Sequence, residues 1–394
     1  MEYRRAAIPA VIGGALLTAL LWWAGASVDA LRLPGAYQVL GGRVAAQFEH
    51  WLTPWSYEPP NSVRFGTGVP GEIGEPAGAE GSRYLSLYET ALHIRFAAVF
   101  AFFVPGALLL VRRLPPVNGR ALATLLALWA WGMVAGTLAV TVSAPWLIAS
   151  SGHGSYRFLP QLASAISAGR QILVVTALVT AVATVLAARI TAKGADPLPR
   201  QDVPARSARL AATVATAVIA VSLLVLSYQS VAAAIQTASP ADGLLAEPGD
   251  LLRQWLLLGA WAGPSGAPLG DWLLYRAIDV LLLALVWWAL RTLPGLLTRV
   301  TFPAMAAGTV CATVLALLAS QVVRVVTDGS SLRWDLMYLS AGLGGGVPAA
   351  LTWGLIAGIA ATATLRATAG GSRETGVPAP VQAPAGSGTA RQQP

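Results

Sequence analysis

One carboxylate in this sequence, Asp279, lies inside a long apolar stretch, where an acidic side chain could do chemistry within a membrane. Tyr275 and Arg276 precede it by four and three residues, which places the three side chains on one face of a helix. A charged carboxylate in lipid is costly and is commonly retained to couple protons or substrates. The alternative is a structural ion pair with Arg276 near the membrane surface, and the sequence leaves both interpretations open.

A second set of polar residues, Glu89, His93 and Arg95, leads into another apolar stretch. Glu89 and His93 are four residues apart, so on a helix they could share a proton as a general acid and base. The alternative is that these residues form the solvated start of the helix.

A third set of charged residues follows an apolar stretch nearer the C-terminus and comprises Arg324, Asp328, Arg333 and Asp335. Mixed charges in a loop at a membrane surface could bind an anionic lipid headgroup. They could equally form local salt bridges with one another. We treat all ten residues of the three sets as candidate intramembrane or outer-face site residues.

The composition places these candidates in a membrane protein. Of 394 residues, 55% are hydrophobic and 11% are charged, whereas about a quarter of an average soluble domain is charged. Roughly 20 apolar helical residues cross a lipid bilayer, so we predict an all-α polytopic membrane protein. Its eight predicted spans cover residues 8–28, 92–111, 121–147, 167–188, 210–236, 272–290, 300–323 and 347–365.

The basic residues predict the orientation of these spans. One side of the predicted membrane carries 15 basic and four acidic residues, and the other carries 11 basic and 14 acidic residues. The positive side is expected to be cytoplasmic, with both termini there. Arginine outnumbers lysine 25 to 1, which indicates a GC-rich bacterial genome and therefore a bacterial cytoplasmic membrane. The positive charge is explained by topology, so we predict no nucleic-acid partner.

Two short loops on the positive side share the pattern R-x-L-P-x-x-x-x-R and lie 179 residues apart. A nearby offset of 177 relates Ser143 to Ser320 and the end of the fourth predicted span to the end of the eighth. We interpret this as a duplicated four-span unit, in which two copies with even numbers of spans share one orientation. The motif residues are Arg112, Leu114, Pro115, Arg120, Arg291, Leu293, Pro294 and Arg299.

The predicted domain organisation follows from this duplication. Residues 1–188 form the first half, which includes a long extracytoplasmic loop at 29–91. A cytoplasmic linker at 189–209 joins it to the second half at 210–369, and 370–394 form a disordered cytoplasmic tail.

Two outer loops carry structure of their own in this prediction. We expect the first loop to cap the helix ends, with Trp51, Trp55 and Tyr57 in an aromatic belt at the lipid–water interface. Residues 251–261 are too few to span and predict an interfacial or re-entrant helix.

The functional prediction rests on the layout of the spans and loops alone. Each half has a long outer loop after its first span, a layout that is similar to ABC permeases with an extracytoplasmic domain between helices one and two. We therefore predict a permease-like or membrane-complex component. No nucleotide-binding motif is recognisable, so an ATPase would be a separate subunit. A purely structural scaffold remains open beside it.

The alternative is a membrane-embedded enzyme that acts on a lipid-linked substrate at the outer face. It requires the Glu89 and His93 pair, Asp279 and the charged set from Arg324 to Asp335 to converge within a few ångströms around a pocket. It is ruled out if no charged side chain besides Arg276 lies within about 10 Å of Asp279. The chain has three histidines and one cysteine, so we predict no metal site and no other cofactor. The predicted partners are the lipid bilayer and, in the permease interpretation, further membrane or ATPase subunits.

Overall fold

A computed structural model describes most of the chain and shows the predicted helical architecture. The description covers residues 3–59, 79–116, 119–151, 158–192, 203–238, 246–264, 268–327 and 344–374. Asp328, Arg333 and Asp335, the middle of the predicted linker and residues 375–394 of the predicted tail lie outside these ranges.

Among the described residues, eight helices are long and apolar enough to cross a membrane. This confirms the predicted all-helical architecture with eight helices that could span a membrane. Such helices are compatible with a multi-pass membrane protein, because a helix satisfies every backbone hydrogen bond within itself in lipid. We number these helices as spans 1 to 8. They are Arg5–Leu31, Ser82–Arg113, Ala121–Ser150, Arg170–Thr191, Ala205–Leu226, Leu269–Leu296, Phe302–Thr327 and Val347–Thr368.

The helix that contains span 2 runs from Ala79 to Arg113, and the helix that contains span 8 runs from Val347 to Glu374. Short helices lie at the end of span 1 and between the spans. They are Val28–Leu31, Pro34–Leu40, Gly42–Leu52, a 3₁₀ turn at Thr53–Trp55, Phe158–Ser167, Gln229–Thr237 and Gly249–Leu256.

The spans pack in the same order in each half of the chain. In the first half, spans 1 and 3 each contact spans 2 and 4; in the second half, spans 5 and 7 each contact spans 6 and 8. The halves meet where span 7 contacts spans 2 and 3 and where span 8 contacts span 3. Spans 3 and 7 are accordingly the most enclosed helices.

Small side chains allow this central junction to close. The thiol of Cys311 on span 7 lies 3.3 Å from the carbonyl oxygen of Ala127 on span 3, and both residues are buried. A Cβ on Gly354 of span 8 would lie 2.7 Å from the Cα of Val310, so those two helices touch along their backbones.

Span 5 differs from its prediction as one helix over residues 210–236. It ends in a π-helical turn at Val221–Leu226, and a separate helix resumes at Gln229. The hydroxyl of Ser227 donates to the carbonyl of Ser222 at 2.8 Å, and the Ser222 hydroxyl donates to the carbonyl of Leu256. Side-chain bonds of this kind compete with the helical ladder and explain the break.

The predicted helix at 251–261 is also shorter than expected. The helix ends at Leu256, and the next residues run extended along the broken end of span 5. The backbone N–H of Trp261 donates to Ser227 at 3.0 Å, and that of Gln229 donates to Trp261 at 2.9 Å. The π turn and this extended segment therefore supply each other's hydrogen bonds.

Candidate functional site

Asp279 lies buried between two arginines. Its side chain is 4% exposed, and its two carboxylate oxygens lie 2.8 Å from Arg276 Nη1 and 2.8 Å from Arg324 Nη2. Arg276 is one turn away on span 6, whereas Arg324 comes from span 7. The carboxylate therefore joins two spans through a three-charge cluster with a formal charge of +1.

Aromatic rings hold both arginines of this cluster. The guanidinium of Arg276 lies 4.9 Å from the ring centroid of Trp261, and Trp261 itself packs against Tyr228 at 4.6 Å. The guanidinium of Arg324 lies 5.8 Å from the ring of Tyr275. Such cation–π contacts stabilise partly desolvated cations, so each arginine is fixed from two directions.

Arg324 occupies a different element from the one predicted. We expected it in the outer loop after span 7, but it lies in the last turn of that helix, which continues to Thr327. The helix is longer because Val322, Val325 and Val326 continue its apolar run and Asp279 pairs with the one charge among them. Arg324 also meets the enzyme hypothesis's requirement for a second charged group near Asp279.

Arg95 forms a second buried polar site, on span 2. It is 1% exposed, and its Nε donates to the hydroxyl of Ser143 on span 3 at 2.9 Å. Nη1 donates to the carbonyl of Pro54, and the guanidinium lies 5.6 Å from the ring of Trp55. The arginine thus joins spans 2 and 3 to the loop after span 1.

Trp55 takes no part in the predicted aromatic belt. Its side chain is fully buried, and its Nε1 donates to the carbonyl of Gly169 at 3.3 Å. A Cβ on Gly25 would overlap the backbone of Trp55, so span 1 also depends on a glycine at this contact. The apolar ring fills a space between helix ends, which removes more surface from water than an interfacial position would.

The other candidates of span 2 lie apart from these sites. Glu89 and His93 are both exposed, and the His93 ring lies 6.0 Å from Tyr57. Tyr57 stacks on Phe96 at 5.5 Å, and burial raises the pKa of its hydroxyl. The structure brings Tyr275, Arg276, Asp279 and Arg324 together. It places Arg95 with Ser143 and Trp55 instead.

A polar cleft between the two halves is a site that sequence reasoning missed. Its volume is about 490 Å³, a size typical of small-molecule sites. The short helix Phe158–Ser167 and the start of span 4 form one wall. The helix Gly249–Leu256, the segment after it and Gly346 form the other. The polar lining residues are Ser164, Ser167, Arg170, Asp250, Arg253 and Gln254.

Two of these lining residues have polar atoms that are buried without a hydrogen-bond partner among the described residues, namely Arg170 Nε and Gln254 Oε1. Arg253 is already bound, since its Nη1 donates to Gln236 at 2.7 Å, and Gln236 in turn donates to Asp250 at 3.2 Å. A buried donor or acceptor without a partner is costly, so a ligand that bonded Arg170 and Gln254 would recover that cost.

The cleft could not be found from the sequence because its residues come from loops of both halves. The one available signal was Arg170, a charge at the start of an apolar span. A turn at residues 344–346, before span 8, borders the cleft through Gly346. Gln321 donates to the carbonyl of Gly345 at 3.0 Å, and Gly344 and Gly346 have φ of 77° and 76°, which favours glycine.

At the opposite end of the bundle, the two loops with the shared motif touch each other. The backbone N–H of Thr298, beside Arg299, donates to the carbonyl of Arg113 at 2.9 Å. Arg112 and Arg299 are both close enough to act electrostatically on Arg113.

Comparisons of the chain with family models, with curated proteins and with solved structures found no match.

Proposed function

We propose that this multi-pass membrane protein is a permease-like subunit of a membrane complex and that its substrate enters the cleft between the two halves. The observation that carries the proposal is the cleft itself. It is lined from both halves, and two of its lining residues, Arg170 and Gln254, each have a buried polar atom without a hydrogen-bond partner among the described residues. Transporters built from two repeats commonly bind substrate where the repeats meet.

The packing supports a duplicated four-span unit, as the permease interpretation requires. The spans of each half contact one another in the same order. Ser143 and Ser320, 177 residues apart, are both buried, and each donates to the carbonyl three residues before it. Ala177 and Gly354, at the same offset, both lie at close helix contacts.

The proposed orientation places the cleft and the loop after span 1 outside a bacterial cytoplasmic membrane and both termini inside. The excess of basic residues at the other end supports it. In a Cys311→Ala background, an impermeant maleimide added outside should label Ser164→Cys in the cleft. It should leave Arg189→Cys, at the opposite end, unlabelled. The reverse pattern would place the cleft in the cytoplasm.

A permease needs its halves to move against each other, and the single cysteine reports on that motion. Cys311 lies buried at the junction of spans 3 and 7. We expect a small membrane-permeant maleimide to label it slowly in the folded chain. The Cys311→Ala variant measures the background. Complete protection over hours, lost on unfolding in detergent, would favour a rigid scaffold instead.

The proposal also predicts a separate energy-supplying subunit. Purification of the full chain from its own membranes in a mild detergent should retain an ATPase subunit. A homogeneous preparation with no partner, under conditions that keep the chain folded, would contradict the permease-complex proposal.

The alternative, an enzyme that acts on a lipid-linked substrate at the outer face, has weaker support. Arg324 provides the second charged group that it requires, but Arg324 and Arg276 both bind the carboxylate of Asp279 as ion-pair partners. Glu89 and His93, the proposed acid and base, lie on the exposed surface of span 2 in the other half.

A further inference from the structure

The junction of the two motif loops concentrates positive charge where the halves meet. We call Arg113 and Arg299 the arginine seam. The hydrogen bond from Thr298 to the carbonyl of Arg113 fixes the loops against each other, and Arg112 and Arg299 both act electrostatically on Arg113. Like charges this close repel, so an anion between them would be stabilising.

The described residues near Arg113 and Arg299 supply little negative charge to this seam. At this end of the bundle, the described parts of both loops carry no acidic residue, and neither do the neighbouring ends of spans 4, 5 and 8 as far as Thr368. The helix of span 8 reaches its first acidic residue, Glu374, at its last position. The Nε atom of Arg113 is buried and has no hydrogen-bond partner among the described residues. A buried guanidinium nitrogen in that state is a donor that a ligand oxygen could satisfy.

Exposed apolar side chains lie at the start of the span that follows each motif loop. Leu122, just after the first motif loop, is 65% exposed, and Phe302, just after the second, is 43% exposed. A ligand that fits both features carries phosphate oxygens for the arginines and hydrocarbon chains for the apolar surface. The preference for positive loops on the cytoplasmic side explains the number of arginines, but it does not require two loops of different halves to meet.

From this arrangement we infer that the arginine seam binds the phosphate of an anionic phospholipid and that the lipid holds the two halves together on the proposed cytoplasmic side. Basic pockets between spans on that side are suited to such headgroups. The inference does not depend on the cleft or on transport, since a rigid scaffold could carry the same lipid site.

The test compares lipid classes on the purified full chain. We expect phosphatidylglycerol vesicles to raise the melting temperature more than phosphatidylcholine vesicles of equal lipid content, and the difference to shrink at high salt. Arg299→Gln should weaken phosphatidylglycerol binding about fivefold, which corresponds to about 1 kcal/mol per arginine near the membrane surface.

Arg189→Gln is the matched control, because it removes an exposed arginine from the same end of the bundle outside the seam. We expect it to leave phosphatidylglycerol binding almost unchanged. Equal losses for both variants would overturn the inference, since they would indicate attraction by overall charge alone.

Two further probes identify the source of the anion. Inorganic phosphate that reproduced the stabilisation would show that a soluble anion suffices and would overturn the lipid assignment. Poly-glutamate that bound as tightly as phosphatidylglycerol vesicles would also overturn it, in favour of an acidic protein segment. Arg113→Gln, which removes the buried nitrogen itself, should reduce phosphatidylglycerol binding at least as much as Arg299→Gln.

Discussion

The two halves join equivalent pairs of spans with buried charges of opposite sign. In the first half, Arg95 on span 2 reaches Ser143 on span 3, and in the second half Asp279 on span 6 reaches Arg324 on span 7. Arg95 is satisfied by neutral partners, one of which is a backbone carbonyl of the loop after span 1. Asp279 is satisfied by two cations.

The contacts of Arg95 and of Asp279 hold different parts of the molecule in place. Removing Arg95 would release a loop as well as a pair of helices, because Pro54 and Trp55 depend on the same guanidinium. The contacts of Asp279 lie within the bundle, so its removal would leave two arginines without their anion. The two halves therefore share the packing order of their spans but differ in their buried polar contacts.

The largest expected effect comes from Asp279→Ala. It leaves Arg276 and Arg324 facing each other without an anion, and breaking such a buried ion pair costs about 3–5 kcal/mol. Both arginines are partly exposed, at 19% and 33%, so we expect about 3 kcal/mol. The measurement is the free energy of unfolding in detergent micelles.

A variant that replaces all three charges with apolar residues, Asp279→Leu with Arg276→Leu and Arg324→Met, separates charge from packing. It should recover most of the loss, because no unpaired charge remains. If the triple variant is as unstable as Asp279→Ala, the cluster stabilises the fold through side-chain packing and not through its charges. The contrast between the buried charges of the two halves would then not explain their stability.

A smaller effect is expected at Gly354 in the second half, where the first half has Ala177 at the offset of 177. Gly354→Ala would place a Cβ 2.7 Å from the Cα of Val310, which forces spans 7 and 8 apart and should cost about 1–3 kcal/mol. Gly295→Ala is the matched control, because nothing lies within 4 Å of its added Cβ. The comparison would fail if both variants changed the unfolding free energy equally.

The smallest effect distinguishes two serines related by the offset of 177. Ser143→Ala leaves the buried Nε of Arg95 without its acceptor at 2.9 Å and should cost about 1–2 kcal/mol. Ser320 donates to Leu317 within its own helix at 2.7 Å, and we expect Ser320→Ala to cost about 0.6 kcal/mol or less. Equal costs in thermal unfolding would mean that Arg95 does not rely on Ser143.

Much of the bundle could be predicted because lipid imposes a simple rule on sequence. Each span needs an apolar run of sufficient length, and the predicted runs match spans 3, 4 and 8 to within a few residues at each end. Span 5 was predicted wrongly because the apolar run continues past Ser227. Hydropathy does not record that the Ser222 hydroxyl donates to the distant carbonyl of Leu256 or that the Ser227 hydroxyl accepts from the backbone N–H of Gly259.

The candidate residues were predictable in type but not in partnership. Asp279 stands out in the sequence as a charge in an apolar run, and its nearness to Arg276 follows from helical spacing. Its bond to Arg324 does not follow, because the two residues are 45 positions apart and belong to different spans. Arg95 was grouped with Glu89 and His93 on its own helix, whereas its partners are Ser143 and the loop after span 1.

By itself, the sequence determined that this chain forms membrane-spanning helices, how many there are and roughly where they lie, because burial in lipid is a local property of each segment. The tertiary structure decided which charges meet, which backbone groups replace broken helical bonds and where a cleft remains between the halves. Those outcomes depend on contacts between residues far apart in the chain, such as Ser222 with Leu256 and Thr298 with Arg113. No local sequence pattern predicts that such residues lie next to each other in the folded chain.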